Sequence, residues 1–151
     1  MNILVIFILL SIISSQSNNG DKEGQVVFIY NAKSGLVNGM FDYVHKFVSP
    51  STYECNLCSI TYDMGGKKDQ WVVYLNTLPL EVKFAYKDNI FNDEFNIDYN
   101  DETLPCAFLI TGETQSLILS STEIGKMKTL DELKTLLSLK FIDYGVRIKG
   151  N

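Results

Sequence analysis

Cys55 and Cys58 stand two residues apart in the stretch Ser49-Pro50-Ser51-Thr52-Tyr53-Glu54-Cys55-Asn56-Leu57-Cys58-Ser59-Ile60-Thr61-Tyr62, and they are two of only three cysteines in the chain. Two thiols at that spacing meet when they occupy the first turn of a helix. There they can close a disulfide, hold a metal, or attack another disulfide. The spacing supplies thiol chemistry and leaves these three outcomes open. For exchange, Cys55 is the attacking group: Ser51 or Thr52 caps the helix, its N-terminus lowers the thiol pKa, and Cys58 one turn on resolves the mixed disulfide. Glu54 opposes this, because an adjacent carboxylate raises a thiol pKa. For metal binding, the pair needs two more ligands, and Cys106 with His45 would complete a Cys₃His zinc set. The plainer roles are a packed, hydrogen-bonded His45 beside a core face and a Cys106 that acts as a small hydrophobe in a strand.

Other candidate chemistry is weaker. Asn31-Ala32-Lys33-Ser34-Gly35 lies between a strand and a helix, where backbone amides attract anions. It does not fit the phosphate-loop pattern, and its ordinary role is a tight turn with Ser34 capping the helix. The carboxylates between Lys87 and Thr103 lack the oxygen spacing and turn glycine of a calcium loop. One histidine and no nucleophile elbow disfavour a Ser-His-Asp hydrolase. Tyr53, Tyr62, Trp71 and Tyr74 are expected to wall the cysteine segment or to pack around it.

The chain that positions these residues has 151 of them, 46% apolar and 12% aromatic, enough for one domain with a true core. Its formal charge of −5 provides no broad basic surface, which argues against nucleic acid as the partner. Ile3 to Ile13 is apolar except for Ser11, too short for an ordinary membrane span and matched to the apolar core of a secretory signal. Ser15 and Ser17 supply the small-x-small cleavage pattern. Residues 1–17 are therefore expected to be a signal peptide, or else a short membrane anchor, on an exported protein. Residues 18–24 read as a linker, 25–142 as the domain and 143–151 as a tail. In an exporting compartment disulfides persist, and three cysteines leave one thiol over.

Within the domain, Gln25–Tyr30 is a β-branched and aromatic run of the kind covered on both faces of a sheet. From Leu36 to Val48 apolar residues recur at helical spacing and stop before Pro50. A second helix is expected from about Cys55 to Gly65-Gly66, and a third carries Trp71, Tyr74, Leu75 and Leu78 to Pro79. Leu80–Tyr86 alternates as a strand, and residues 87–103 form an acidic surface loop with a short helix around Asn92 to Phe95. Cys106–Ile110 and Gln115–Ser121 are strands joined by the hairpin composition Thr111-Gly112-Glu113-Thr114. Thr129 and Glu132 form a capping box ahead of an amphipathic helix through Phe141.

That order of elements resembles the thioredoxin-like fold, an α/β three-layer sandwich, here with a helical insertion carrying the Cys-x-x-Cys. Two passages carry the likeness. Val26-Val27-Phe28-Ile29-Tyr30, followed by Ala32 to Gly35 and a long apolar helix, is similar to the family's central strand and active-site helix. Leu104-Pro105-Cys106-Ala107-Phe108-Leu109-Ile110 is similar to the stretch in which a cis proline opens the hairpin beside that site. Where thioredoxins place their Cys-x-x-Cys, this chain has Ala32-Lys33-Ser34-Gly35, so the family's usual nucleophile has no counterpart. The strings Tyr30-Asn31-Ala32, Ser49-Pro50-Ser51-Thr52-Tyr53 and Cys55-Asn56-Leu57-Cys58 are also similar to a small group of bacterial proteins. By resemblance only Pro105 maps onto a functional family position, as the candidate cis proline, with Cys106 directly after it. The thiol pair itself leads to the expectation of thiol–disulfide exchange with protein thiols or disulfides and no cofactor. Cys55 would attack, Cys58 would resolve, and Pro105 with Cys106 would shape the adjacent surface. The alternative is a non-catalytic protein that binds zinc through Cys55, Cys58, Cys106 and His45, or one whose disulfide only staples the insertion.

Overall fold

The computed structural model describes residues 22, 24–35, 55–63, 65–91, 95, 97–99 and 103–148. The expected signal segment, the helix from Leu36 to Val48 with His45, the proposed caps Ser51 and Thr52, and the short helix expected at 92–95 lie wholly or mostly outside the described residues.

The sheet is built on the most apolar run of the sequence. Strand β1, Gln25–Tyr30, has five consecutive residues, Val26 to Tyr30, with no exposed surface. That is the signature of a strand covered on both faces. It pairs in parallel with β4, Glu81–Tyr86, and antiparallel with β5, Cys106–Thr111. β5 in turn pairs antiparallel with β6, Thr114–Leu119. The order is β4-β1-β5-β6, with β5 running against the other three. Gly24 precedes β1 where a Cβ would lie 2.4 Å from the Ile110 carbonyl oxygen, so only glycine fits the approach of these chains. This residue, expected in a linker, is already part of the packed fold.

Side-chain parity along the strands separates two buried clusters. Val26, Phe28 and Tyr30 of β1 join Ala107 and Leu109 of β5 in the larger one. Val27 and Ile29 join Cys106 and Phe108 in the smaller. The larger cluster takes in all four described helices: α1 (Asn56–Thr61), α2 (Asp69–Asn76), α3 (Ser121–Lys126) and α4 (Leu130–Asp143). The smaller is covered by Ile90 and Phe95 from the acidic loop, with Ile97, Tyr99 and Leu104 against it. That loop therefore contributes to the core as well as to the surface.

Several elements differ from their expected extents, among them α2, expected to run to Pro79, which stops at Asn76. The helix expected to run from Cys55 to Gly65 stops at Thr61. The chain then turns back through a two-residue ladder, β2 (Tyr62–Asp63) with β3 (Gly66–Lys67). The Asp63 carboxylate accepts from the Gly65 amide at 2.8 Å, and Gly66 takes a φ of +114°, the local chemistry of a turn rather than of a continuing helix. At the other end, β6 stops at Leu119 rather than Ser121, because Ser120 caps a further helix, α3. Its hydroxyl accepts from the Glu123 amide while the Glu123 carboxylate accepts from the Ser120 amide, a complete capping box. The pairing slips between Ala107 and Phe108, leaving Ile118 as the extra residue of a bulge. Adjacent residues Ile118 and Leu119 are thereby both buried in the larger cluster. Finally, the chain after α4 returns to the core: Val146 is buried and its amide bonds the Phe141 carbonyl at 2.8 Å.

Candidate functional site

Cys55 and Cys58 are joined in a disulfide, with Cα atoms 5.3 Å apart. The local geometry follows from the start of α1. Cys55 is the N-cap, one position earlier than a first-turn residue, and its Sγ accepts from the Cys58 amide at 3.3 Å. Sulfur thus takes the capping role that an oxygen ordinarily fills. The two residues between the sulfurs tie this turn down. Leu57 is fully buried, and the Asn56 amide group donates to the carbonyls of Ile124 and Met127, the latter at 2.9 Å. Those are carbonyls at the C-terminal end of α3, where Ile124 also accepts from the Met127 amide at 3.1 Å and Asn56 adds a second donor.

At the far end of α1, Thr61 is a fully buried polar residue. Its hydroxyl donates to the Leu57 carbonyl at 2.7 Å and meets the Tyr30 hydroxyl at 3.1 Å. Since the Thr61 proton is committed to Leu57, Tyr30 is the donor in the second bond. Tyr30 packs edge-on against Tyr62 at 5.7 Å and stacks on Tyr86 at 5.6 Å. Burial pushes the Tyr30 phenol well above the ordinary tyrosine range, and burial with the neighbouring phenols does the same for Tyr62. Both stay protonated at neutral pH, so neither is a base that could activate a thiol. Lys68 closes the segment by donating to the Ile60 carbonyl at 2.7 Å.

Exposure decides what the disulfide can do. Cys55 is 2% exposed and Cys58 not at all, and both belong to the cluster that holds Tyr30, Trp71, Ile118 and Ile124. An attacking thiolate must reach a sulfur along the S–S axis, so exchange requires this region to open first. Cys106, outside any disulfide, is buried in the cluster on the opposite side of the sheet. The structure thus brings Cys55 and Cys58 together and does not bring Cys106 to them. Of the zinc set, His45 lies outside the described residues, and among the described residues no three His, Cys, Asp or Glu side chains gather as a metal site.

Pro105 precedes β5 and is buried, and the Leu104–Pro105 peptide is cis. The turn after β1, considered above as an anion cradle, is occupied by a carboxylate of the chain itself. Residues 34–35 begin a helical turn, and Asp88 accepts from the Ser34 amide at 2.9 Å and from its hydroxyl at 3.0 Å. Asp88 thus does the capping expected of Ser34. These bonds, the backbone one first, hold the Asp88 carboxyl below its usual range. The sequence assigned Asp88 no role, since a contact across 54 residues leaves no local signal.

Among the described residues no helix is long and apolar enough to cross a membrane. No family model, curated protein or solved structure matches the chain.

Proposed function

We propose that the protein is an exported binding protein on a thioredoxin-like scaffold, in which Cys55–Cys58 is a structural disulfide that locks the entry to α1. Support for the scaffold comes from the strand order β4-β1-β5-β6 with only β5 reversed, from the parallel β1/β4 pair linked across the residues that carry α1 and α2, and from α4 packed after the hairpin. The burial of both cysteines carries the choice of a structural role. A dithiol that works by attack presents its first sulfur to the partner, whereas this one caps a turn inside the core. The separate placement of Cys106, across the sheet, favours the disulfide over zinc as the state of the pair.

Thiol–disulfide exchange is the second reading, and one observation favours it. The bond closes a loop spanning a sequence separation of 3, so by the chain-entropy relation it contributes under about 2 kcal/mol to stability. So small a lock is cheaply opened, and once reduced, Cys55 would lie at a helix start where a thiolate is favoured. Trapping separates the readings. A Cys58→Ser variant, challenged with an oxidised partner peptide, forms a lasting mixed disulfide through Cys55 if exchange is the role. Under the structural reading it forms none unless denatured, and native protein does not turn over a test disulfide.

A further inference from the structure

A cleft of about 450 Å³ runs between the edge strand β4 and helix α2, away from the disulfide. Its floor and walls include Leu75, Leu80, Val82 and Phe84, and two lysines, Lys22 and Lys67, line it with no acidic residue among the lining side chains. That volume falls in the range of small-molecule sites, roughly 300–1,000 Å³. Lys67 is the informative residue. It follows the β2–β3 turn and lays its ammonium 3.9 Å from the centre of the Phe84 ring and 5.6 Å from that of Tyr62. It is half-buried, and burial pulls its pKa below the usual lysine range. Among the described residues it enters no ion pair, whereas its neighbour Lys68 is satisfied by backbone carbonyls. An aromatic face stabilises such a cation but accepts no hydrogen bond of ordinary strength, so the ammonium keeps unused donors at the cleft.

We propose that this cleft binds a small amphipathic carboxylate of the medium-chain fatty-acid type. The alkyl body lies on Val72, Leu75, Val82 and Phe84, and the carboxylate accepts from Lys67, with Lys22 at the rim adding attraction. In a chain of net charge −5, two cations on one apolar cleft with no acidic residue in its lining select for an anion, and the apolar floor selects for a hydrocarbon attached to it. One small ligand fits the volume. The assignment does not depend on the state of Cys55–Cys58, so it stands or falls separately from the reading of the disulfide.

The test is calorimetric titration of the full chain with decanoate below its micellar concentration, alongside decanol as the uncharged analogue. Decanoate is expected to bind at one site and decanol at least about tenfold more weakly, the loss that follows from removing a charge-assisted contact. Lys67→Met keeps an apolar stem over Phe84 and is expected to lower decanoate affinity by about the same factor while leaving decanol unchanged. Lys22→Met, at an exposed position, is expected to weaken decanoate less and serves if Lys67→Met fails to fold. No saturable decanoate binding, or equal affinity for acid and alcohol, overturns the proposal. So does decanoate affinity unchanged by removal of Lys67 or, where that variant does not fold, of Lys22.

Discussion

Asn56→Ala tests how the cysteine turn is held in place. The Asn56 side chain sits between the two cysteines and donates to the Ile124 and Met127 carbonyls, which tether the start of α1 to the end of α3. Alanine removes both donors and leaves two carbonyls with fewer partners in a half-buried site. At about 1 kcal/mol per bond the cost is about 2 kcal/mol. For a folded unit of this size each kcal/mol moves Tm by about 4 °C, so Tm is expected to fall by about 8 °C. The ordering of substitutions is more diagnostic than the size. Asn56→Asp places an acceptor-only carboxylate against two carbonyl oxygens, so at pH 7 it is expected to be less stable than alanine. It should recover part of the difference near pH 3, where a protonated carboxyl donates again. Circular-dichroism melts of the three proteins at both pH values are the assay. An Asn56→Ala shift under about 2 °C, or an aspartate variant as stable as the native protein at pH 7, refutes the tether.

Glu123 is held at a pKa of about 2, first by the hydrogen bond from Lys140 at 2.8 Å and then by the Ser120 amide. A depressed carboxyl pKa gives stability that is present above the unfolded value near 4.5 and lost as pH falls toward 2. The full shift corresponds to about 3 kcal/mol, but both side chains are about one-third exposed, so screening reduces the expected contribution to about 1 kcal/mol. Urea melts of Lys140→Met against the native protein should show that difference at pH 6 and converge at pH 2. Thr61→Val keeps the shape of the side chain but leaves the buried Tyr30 hydroxyl without its acceptor, at a cost of about 1–3 kcal/mol. Adding Tyr30→Phe should cost less than the sum of the two single changes in a double-mutant cycle. Asp88→Asn weakens the cap on Ser34, and hydrogen exchange at the Ser34 amide should accelerate at neutral pH. Since the Asp88 carboxyl is depressed, the native protein should lose that protection only as pH falls below the ordinary carboxylate range.

The sequence made the sheet legible because its strands obey simple patterns. Val26 to Tyr30 is apolar at every position, as a strand buried on both faces requires, and Leu80 to Tyr86 alternates as an edge strand does. The capping box at Thr129 and Glu132 marks the start of α4 to the residue. The same signature at Ser120 and Glu123 was equally present, but the apolar run Leu117 to Leu119 extends β6 up to it, so the strand pattern masked a six-residue helix. Helix α1 was overextended because Tyr62 continues the apolar pattern. What ends the helix is the ladder to Lys67 and the Asp63–Gly66 turn, and a period of apolar residues does not register either. The cysteine spacing correctly restricted Cys55 and Cys58 to a shared turn. Whether that turn faced solvent was not legible, since the answer depends on Asn56 meeting α3 across 68 residues. The position of Cys106 across the sheet follows from strand parity with Ala107 and Leu109, once the face holding α1 is known.

Counting thiols in native and denatured protein tests the role of the disulfide most directly. Under non-denaturing conditions no cysteine is expected to react with a maleimide, before or after brief exposure to a thiol reductant. In denaturant without reductant a single thiol, Cys106, should appear, and three should appear after full reduction. Fast reduction of Cys55–Cys58 in the folded protein, with both thiols then open to labelling, would contradict a buried lock and return the pair to exchange chemistry.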